Sequence, residues 1–264
     1  MKASIHSQIA PALKSLRLPA MQQEYRQAAD MARQEGWSYE QFLLDLISRE
    51  TESREQKKIA RMLKVSRLPL QKSLAQFDRH RLPMKVNAQL GALLEGSFLD
   101  RAENILAFGN PGSGKTHLLC ALGQELVRNG RPVLFRPCSL LVQELLAAKK
   151  ELKLARTLKQ LSRYDALIID DLGYVQYDRE EMEVLFTLLA DRYEKKSIML
   201  TCNLPFSQWE LIFKDPMTTA AAIDRLVHHS IIIEINLPSY RLESSQKKIQ
   251  QHPLEEEQTS GSKG

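Results

Sequence analysis

Eight consecutive residues, Gly109 to Thr116, read GNPGSGKT and satisfy the pattern G-x-x-x-x-G-K-[ST]. Each position has a physical use. Gly109, Gly112 and Gly114 lack a Cβ, so the backbone can close around a phosphate chain. The run from Gly109 through Asn110, Pro111 and Ser113 to His117 leads into a helix N-terminus, where successive amides favour an anion. Lys115 supplies a mobile positive charge for the β- and γ-phosphates, and the Thr116 hydroxyl is the expected Mg²⁺ ligand. Farther on, an apolar run ends in Asp170 and Asp171. Asp170 is the candidate to hold Mg²⁺ through water, and Asp171 the candidate to polarise an attacking water. Asn203 follows another apolar run and could orient that water. Arg225 is a lone arginine on an apolar helical stretch and could stabilise transition-state charge at a neighbouring copy's site. Together these residues predict an ATP- or GTP-binding NTPase.

The elements needed to hold them are legible as alternating periods. Short apolar runs at Asn104–Phe108, Pro132–Arg136, Ala166–Asp170, Ser197–Thr201 and Ile231–Ile235 predict strands. Helical patterns over 116–129, 139–163 and 179–194 lie between them. This alternation predicts an α/β fold with a parallel sheet covered on both faces. Residues 4–68 read as helical, with one helix ending near Arg33 and another opening at a Ser38/Gln41 capping box. Pro69 is expected to stop the second. The expected organisation is a small all-helical domain at 1–65, a basic connector leading into the ATPase domain at 66–103, a core at 104–242 and a disordered tail at 243–264.

Charge sorts along the chain. The 264 residues carry a net +5, and residues 1–100, with 16 basic and 11 acidic side chains, account for all of it. Residues 54–85 oppose ten basic side chains to Glu55 and Asp78 alone. A basic segment on a neutral body predicts a polyanionic partner. The candidate phosphate contacts are Lys57, Lys58, Arg61, Lys64 and Arg67, with Lys149, Lys150, Lys153 and Arg156. Cys120, Cys138 and Cys202 form no CxxC pair, which argues against a disulfide framework or a zinc-thiolate site and favours a reducing cytoplasm. His228 and His229 read as packing or interface residues, because no third metal ligand is evident near them. Neither a signal peptide nor a membrane span is predicted.

The order GNPGSGKTHL, LIIDDLGY, RYEKKSIMLTCNLPFSQW, AIDRLVHH and PSYRLE, with LKSLRLPAM and YEQFLLDLISRE before it, resembles the IstB family of AAA+ ATPases. Those are helper proteins of bacterial insertion-sequence transposons, related to DnaC-type helicase loaders. The resemblance covers about residues 10–245. It implies an AAA+ P-loop NTPase without the usual C-terminal helical lid, using ATP and Mg²⁺. It implies Asn203 as a nucleotide sensor and Arg225 as an arginine finger acting between subunits. The implied assembly is an ATP-dependent homo-oligomer, ring or helical, on double-stranded DNA, recruiting a transposase; the alternative partner is a replicative helicase. Asp171 stands where many members carry glutamate, and its shorter side chain implies slow, switch-like hydrolysis. Arg241 is a further candidate nucleotide-sensing arginine. Phe77 and Asp78 are candidates for contacting the base.

Overall fold

The computed structural model describes residues 5–174 and 177–240. Arg241 and the expected tail lie outside the described residues. The chain forms two compact units, Met1–Met62 and Leu63–Gly264.

The N-terminal unit contains α1 (Ile5–Ser15), α2 (Pro19–Glu35) and most of α3 (Tyr39–Ser66). Instead of one helix before Gly36, there are two. Arg17 turns left-handed (φ 57°), and Pro19, which has no N–H to lose, restarts the helix. Leu18 has no side chain able to cap α2. Glu50 of α3 does this instead, its Oε2 accepting from the amides of Ala20 (2.8 Å) and Met21 (3.1 Å). Burial pushes the Glu50 carboxyl up, but Arg54 and those two amides outweigh it and hold the carboxyl below its ordinary value. The Ser38/Gln41 capping box forms as expected, with reciprocal bonds of 3.2 and 2.8 Å. Met21, Tyr25, Ala28 and Leu46 make the core of this unit.

The second unit is a five-stranded sheet, all parallel, in the order β2-β3-β4-β1-β5. Its strands are β1 (Asn104–Phe108), β2 (Val133–Pro137), β3 (Ala166–Leu172), β4 (Ser197–Cys202) and β5 (Ser230–Glu234). β3 and β4, in the middle of the sheet, are apolar and buried along nearly their whole length, as strands covered on both faces must be, whereas the edge strand β5 leaves Ile232 exposed. The chain enters through α4 (Met84–Glu95) and the short α5 (Ser97–Asp100), then crosses between strands through α6 (Lys115–Arg128), α7 (Cys138–Lys150), α8 (Leu154–Leu161) and α9 (Arg179–Arg192). After β4 come the short α10 (Glu210–Phe213) and α11 (Pro216–Val227). One large core joins α7, α9, α10 and α11 to Leu106, Leu167, Ile169 and Leu200 of the sheet, while α6 packs against β1, β2, β3 and β4.

The helix expected over 139–163 is two helices. Leu152 adopts φ 59°, and the Lys153 amide reaches back to the Ala148 carbonyl (2.7 Å), so α7 ends in a left-handed turn before α8 begins. The basic stretch before α4 is anchored: the buried Gln124 amide on α6 donates to the carbonyls of Pro69, Leu70 and Lys72 (3.1, 3.4 and 3.1 Å). Asn104 ties three elements at the entry edge of the sheet, accepting from the Ile198 amide and donating to the Leu226 carbonyl. Among the described residues no helix is long and apolar enough to cross a membrane.

Candidate functional site

The loop between β1 and α6 carries the glycine-lysine motif. Its glycines are required by contact as well as by conformation. A Cβ on Gly109 (φ 144°) would lie 2.1 Å from the Ile235 carbonyl oxygen, and one on Gly112 (φ 78°) would lie 2.1 Å from the Ser239 hydroxyl. Lys115 is buried, with its Nζ donating to the carbonyls of Gly109 (2.8 Å) and Asn110 (2.9 Å). Among the described residues the buried Ser113 hydroxyl has no hydrogen-bond partner. A buried, unmatched hydroxyl in a glycine-rich loop is a donor that an anionic ligand would satisfy.

β3 delivers Asp170 and Asp171 beside this loop through a bulge. Ile169 pairs with Leu200 and Leu172 with Cys202, so two aspartates face the single residue Thr201 of β4. Thr201 is fully buried and bridges them. Its hydroxyl donates to Asp170 Oδ1 (2.6 Å) and accepts from the Asp171 amide (2.8 Å). Asp171 sits at φ 63°, a conformation that aspartate tolerates better than most residues, and its side chain is exposed while Asp170 is buried. Nothing in the sequence marked Thr201, because its role depends on the β3–β4 register. Thr201→Val keeps the shape but leaves the Asp170 carboxylate and the Asp171 amide each short of a partner. The expected result is a loss of Mg²⁺-dependent turnover of roughly 10- to 100-fold with a raised Mg²⁺ requirement, and recovery with Thr201→Ser. A Mg²⁺ titration of ATP hydrolysis checks this, and an unchanged Mg²⁺ profile for Thr201→Val would refute it.

A cleft lined by Lys72, Gly112, Gly114, Lys115, Thr116, His117, Asp171, Tyr174 and Tyr240 brings Asp171 to the loop. Beside it a smaller, mostly apolar hollow is lined by Gln76, Phe77, Asp78, Arg81, Ser113, Gly114, His117, Leu237 and Tyr240. His117 braces the hollow, with Nε2 2.9 Å from the Ser73 carbonyl and its ring edge-on to Phe77. The Tyr240 amide donates to the Gly112 carbonyl (3.1 Å), and the Arg81 guanidinium stacks on the Tyr240 ring (5.2 Å). Lys72, Arg81, Tyr174, Leu237 and Tyr240 were not singled out in the sequence, since they reach the loop from distant segments.

Asn203 follows the C-terminal end of β4, and its Oδ1 is buried near Gly173 with no hydrogen-bond partner among the described residues. Arg225 is elsewhere. Asn104, the first residue of β1, donates to the Leu226 carbonyl, whereas the phosphate loop leaves the other end of that strand. The Arg225 side chain lies on the Phe186 ring (4.8 Å) and donates to the Ala221 carbonyl (3.0 Å). It does not join Lys115 and the aspartates within one chain.

Burial pushes the thiols of Cys120 and Cys138 up to about 12 and that of Cys202 up to about 11, which disfavours the thiolate form at all three. Of the basic candidates, Lys58 pairs with Glu55, Arg67 with Glu144, Lys149 with Glu183 and Lys153 with Glu151. Among the described residues Lys57, Arg61, Lys64, Lys150 and Arg156 are exposed and make no ion pair. Exposed pairs of this kind are worth little and leave their cations able to meet phosphate.

The family described as IstB-like ATP binding protein matches residues 11–248. An insertion-sequence ATP-binding protein of Sinorhizobium fredii is 44% identical over 234 residues, covering 88% of this chain and 78% of its own length. The insertion sequence IS21 ATP-binding protein of Pseudomonas aeruginosa is 39% identical over 238 residues, 89% of each chain. Among solved structures, AMPPCP-bound DnaA from Aquifex aeolicus superposes with a TM-score of 0.54 at 20% identity, over 72% of this chain and 59% of that one, a likeness of fold alone. The fold is accordingly that of an AAA+ P-loop ATPase.

Proposed function

The chain belongs to the IstB-like ATP binding protein family, and on that premise we propose that it is a transposition-associated ATPase that assembles on duplex DNA and recruits a transposase. The observation that carries the ATPase reading is one cleft lined by Thr116, Asp171 and the buried Lys115, with Asp170 tied to Asp171 through Thr201 and the Ser113 hydroxyl in the adjoining hollow. These residues fit a magnesium nucleotide. The loop from Gly109 to His117 binds the phosphates, and the hollow at Phe77, Leu237 and Tyr240 takes the base. Thr116 and Asp170 would hold Mg²⁺, which neutralises charge on the β- and γ-phosphates when bound. Asp171 accepts the proton of the attacking water, and the Asn203 amide orients that water. Arg225 completes the site of an adjacent copy, which requires a head-to-tail assembly, ring or helix.

The helical unit and the α7–α8 region contact DNA through phosphates. Lys57, Lys58 and Arg61 serve in the first, Lys64 and Arg67 at and just beyond the end of α3, and Lys149, Lys150, Lys153 and Arg156 in the α7–α8 region. Such contacts position the protein without reading sequence. The experiment is binding of the ATP-loaded full chain to two unrelated duplexes across a salt series, with assemblies viewed by electron microscopy. Reversing the charges of Lys57, Lys58 and Arg61 is expected to weaken both duplexes alike and to flatten the salt dependence by about 0.9 per lost phosphate contact. A loss confined to one duplex, or no ATP-dependent assembly by the unaltered chain, overturns the reading.

A further inference from the structure

We infer that Glu194, His228 and His229 form a binding site for a borderline-soft divalent transition-metal ion of the zinc class. The three residues are exposed, and each offers a ligand atom within 4.8 Å of the others. They come from two places in the chain. Glu194 lies just beyond α9 in a left-handed turn (φ 58°), and His228–His229 follow α11. Glu194 is thus the third ligand that the sequence around the histidine pair does not contain.

Two imidazoles and a carboxylate are a donor set that zinc-class ions prefer to magnesium or calcium, and three protein ligands leave a position for water. The Tyr193 hydroxyl lies 3.0 Å from His228 Nδ1. That outer contact holds the ring and leaves Nε2 as the ligand atom. His229 Nε2 is already 3.8 Å from Glu194 Oε1. Tetrahedral ligands at about 2.0–2.1 Å from zinc lie about 3.3 Å apart, a closure that side-chain rotation at exposed positions supplies. The carbonyl end of the α11 dipole favours a cation here. Arg225, the nearest cation on α11, turns back toward Ala221 and Phe186, away from the pair. The Asn104 amide donates to the His229 carbonyl (2.7 Å), so the site is at the entry end of β1, across the sheet from the phosphate loop. A bound ion ties the end of α9 to the end of α11, the helix that carries Arg225.

The test uses the full chain with any oligohistidine tag removed. Zn²⁺ binding is measured by equilibrium dialysis, and Co²⁺ by its visible absorption as a readout of coordination. About one equivalent of Zn²⁺ per chain is expected, with a tetrahedral-type Co²⁺ spectrum. His228→Ala, His229→Ala and Glu194→Gln are each expected to weaken Zn²⁺ by about 10-fold or more, with melting in chelator and Mg²⁺-ATP binding unchanged. All three positions are exposed, and Glu194→Gln preserves shape, so folding and ligation remain separable. Absence of saturable binding up to about 100 μM Zn²⁺, a threshold far weaker than protein zinc sites require, overturns the site. Stoichiometric binding that persists in a His228→Ala/His229→Ala double variant does so as well.

Discussion

Lys115→Ala is expected to lower ATP affinity by at least ~100-fold, about 2.7 kcal/mol, and to abolish ATP-dependent assembly on DNA. The size follows from where the lysine is. Its ammonium is buried, and its two carbonyl partners, Gly109 and Asn110, belong to the phosphate loop itself. Removing it takes away the donor that holds the loop's own carbonyls and, on the proposed function, the cation set against the phosphates. ATP should then no longer raise the melting temperature, because a ligand stabilises only in proportion to its binding. Titration with a fluorescent ATP analogue, beside a melting curve without nucleotide, separates lost binding from lost folding. Assembly on DNA by Lys115→Ala at the unaltered level would remove ATP as the switch.

Arg225→Ala is expected to keep ATP affinity while lowering hydrolysis by about 10³-fold or more, the range that an arginine finger commands. The geometry separates the two effects. Arg225 is at the entry end of β1, and the loop that holds the phosphates leaves the other end. On the proposed function, its contribution is made to the site of a neighbouring copy. Asp171→Asn is the complementary variant. Asparagine accepts the left-handed backbone that Asp171 holds, so the bulge survives while the proton acceptor is lost. Mixing the two inactive proteins should restore hydrolysis at sites pairing an intact Asp171 with a neighbour's intact Arg225. Random equimolar mixing creates about one such site in four. Absence of recovery, with both proteins folded and assembling, would argue against completion of the site between copies. The Phe186 contact also disappears with the alanine, so the melting temperature of Arg225→Ala is measured in parallel.

The phosphate loop could be read directly because its function is local. A nest of amides at a helix start is built by neighbours in sequence, so glycine spacing, lysine and hydroxyl all fall within eight residues. The strands were equally legible, since each is a continuous apolar run, and their alternation with helices predicts a parallel sheet. The left-handed breaks at Arg17 and Leu152 were not, because neither is a glycine and each is stabilised by the turn around it. The helix α4 was not singled out within the segment read as a basic connector and the start of the ATPase domain, although Val86, Leu90 and Leu93 repeat at helical spacing and are buried.

By itself, then, the sequence determined the chemistry that a local stretch of backbone can supply: a phosphate cradle, an acidic strand end, a basic helical segment. The tertiary structure decided which distant groups meet that chemistry. Sheet order β2-β3-β4-β1-β5 puts β4 beside both β3 and β1, and only that adjacency lets Thr201 bridge the aspartates. The parallel direction of β1 and β5 separates Arg225 from its own loop, and the return of α11 to the entry end of these strands brings His228 and His229 to Glu194. Such meetings depend on hydrogen-bond register and helix packing between segments far apart in the chain, and neither leaves a periodic trace in the residues concerned.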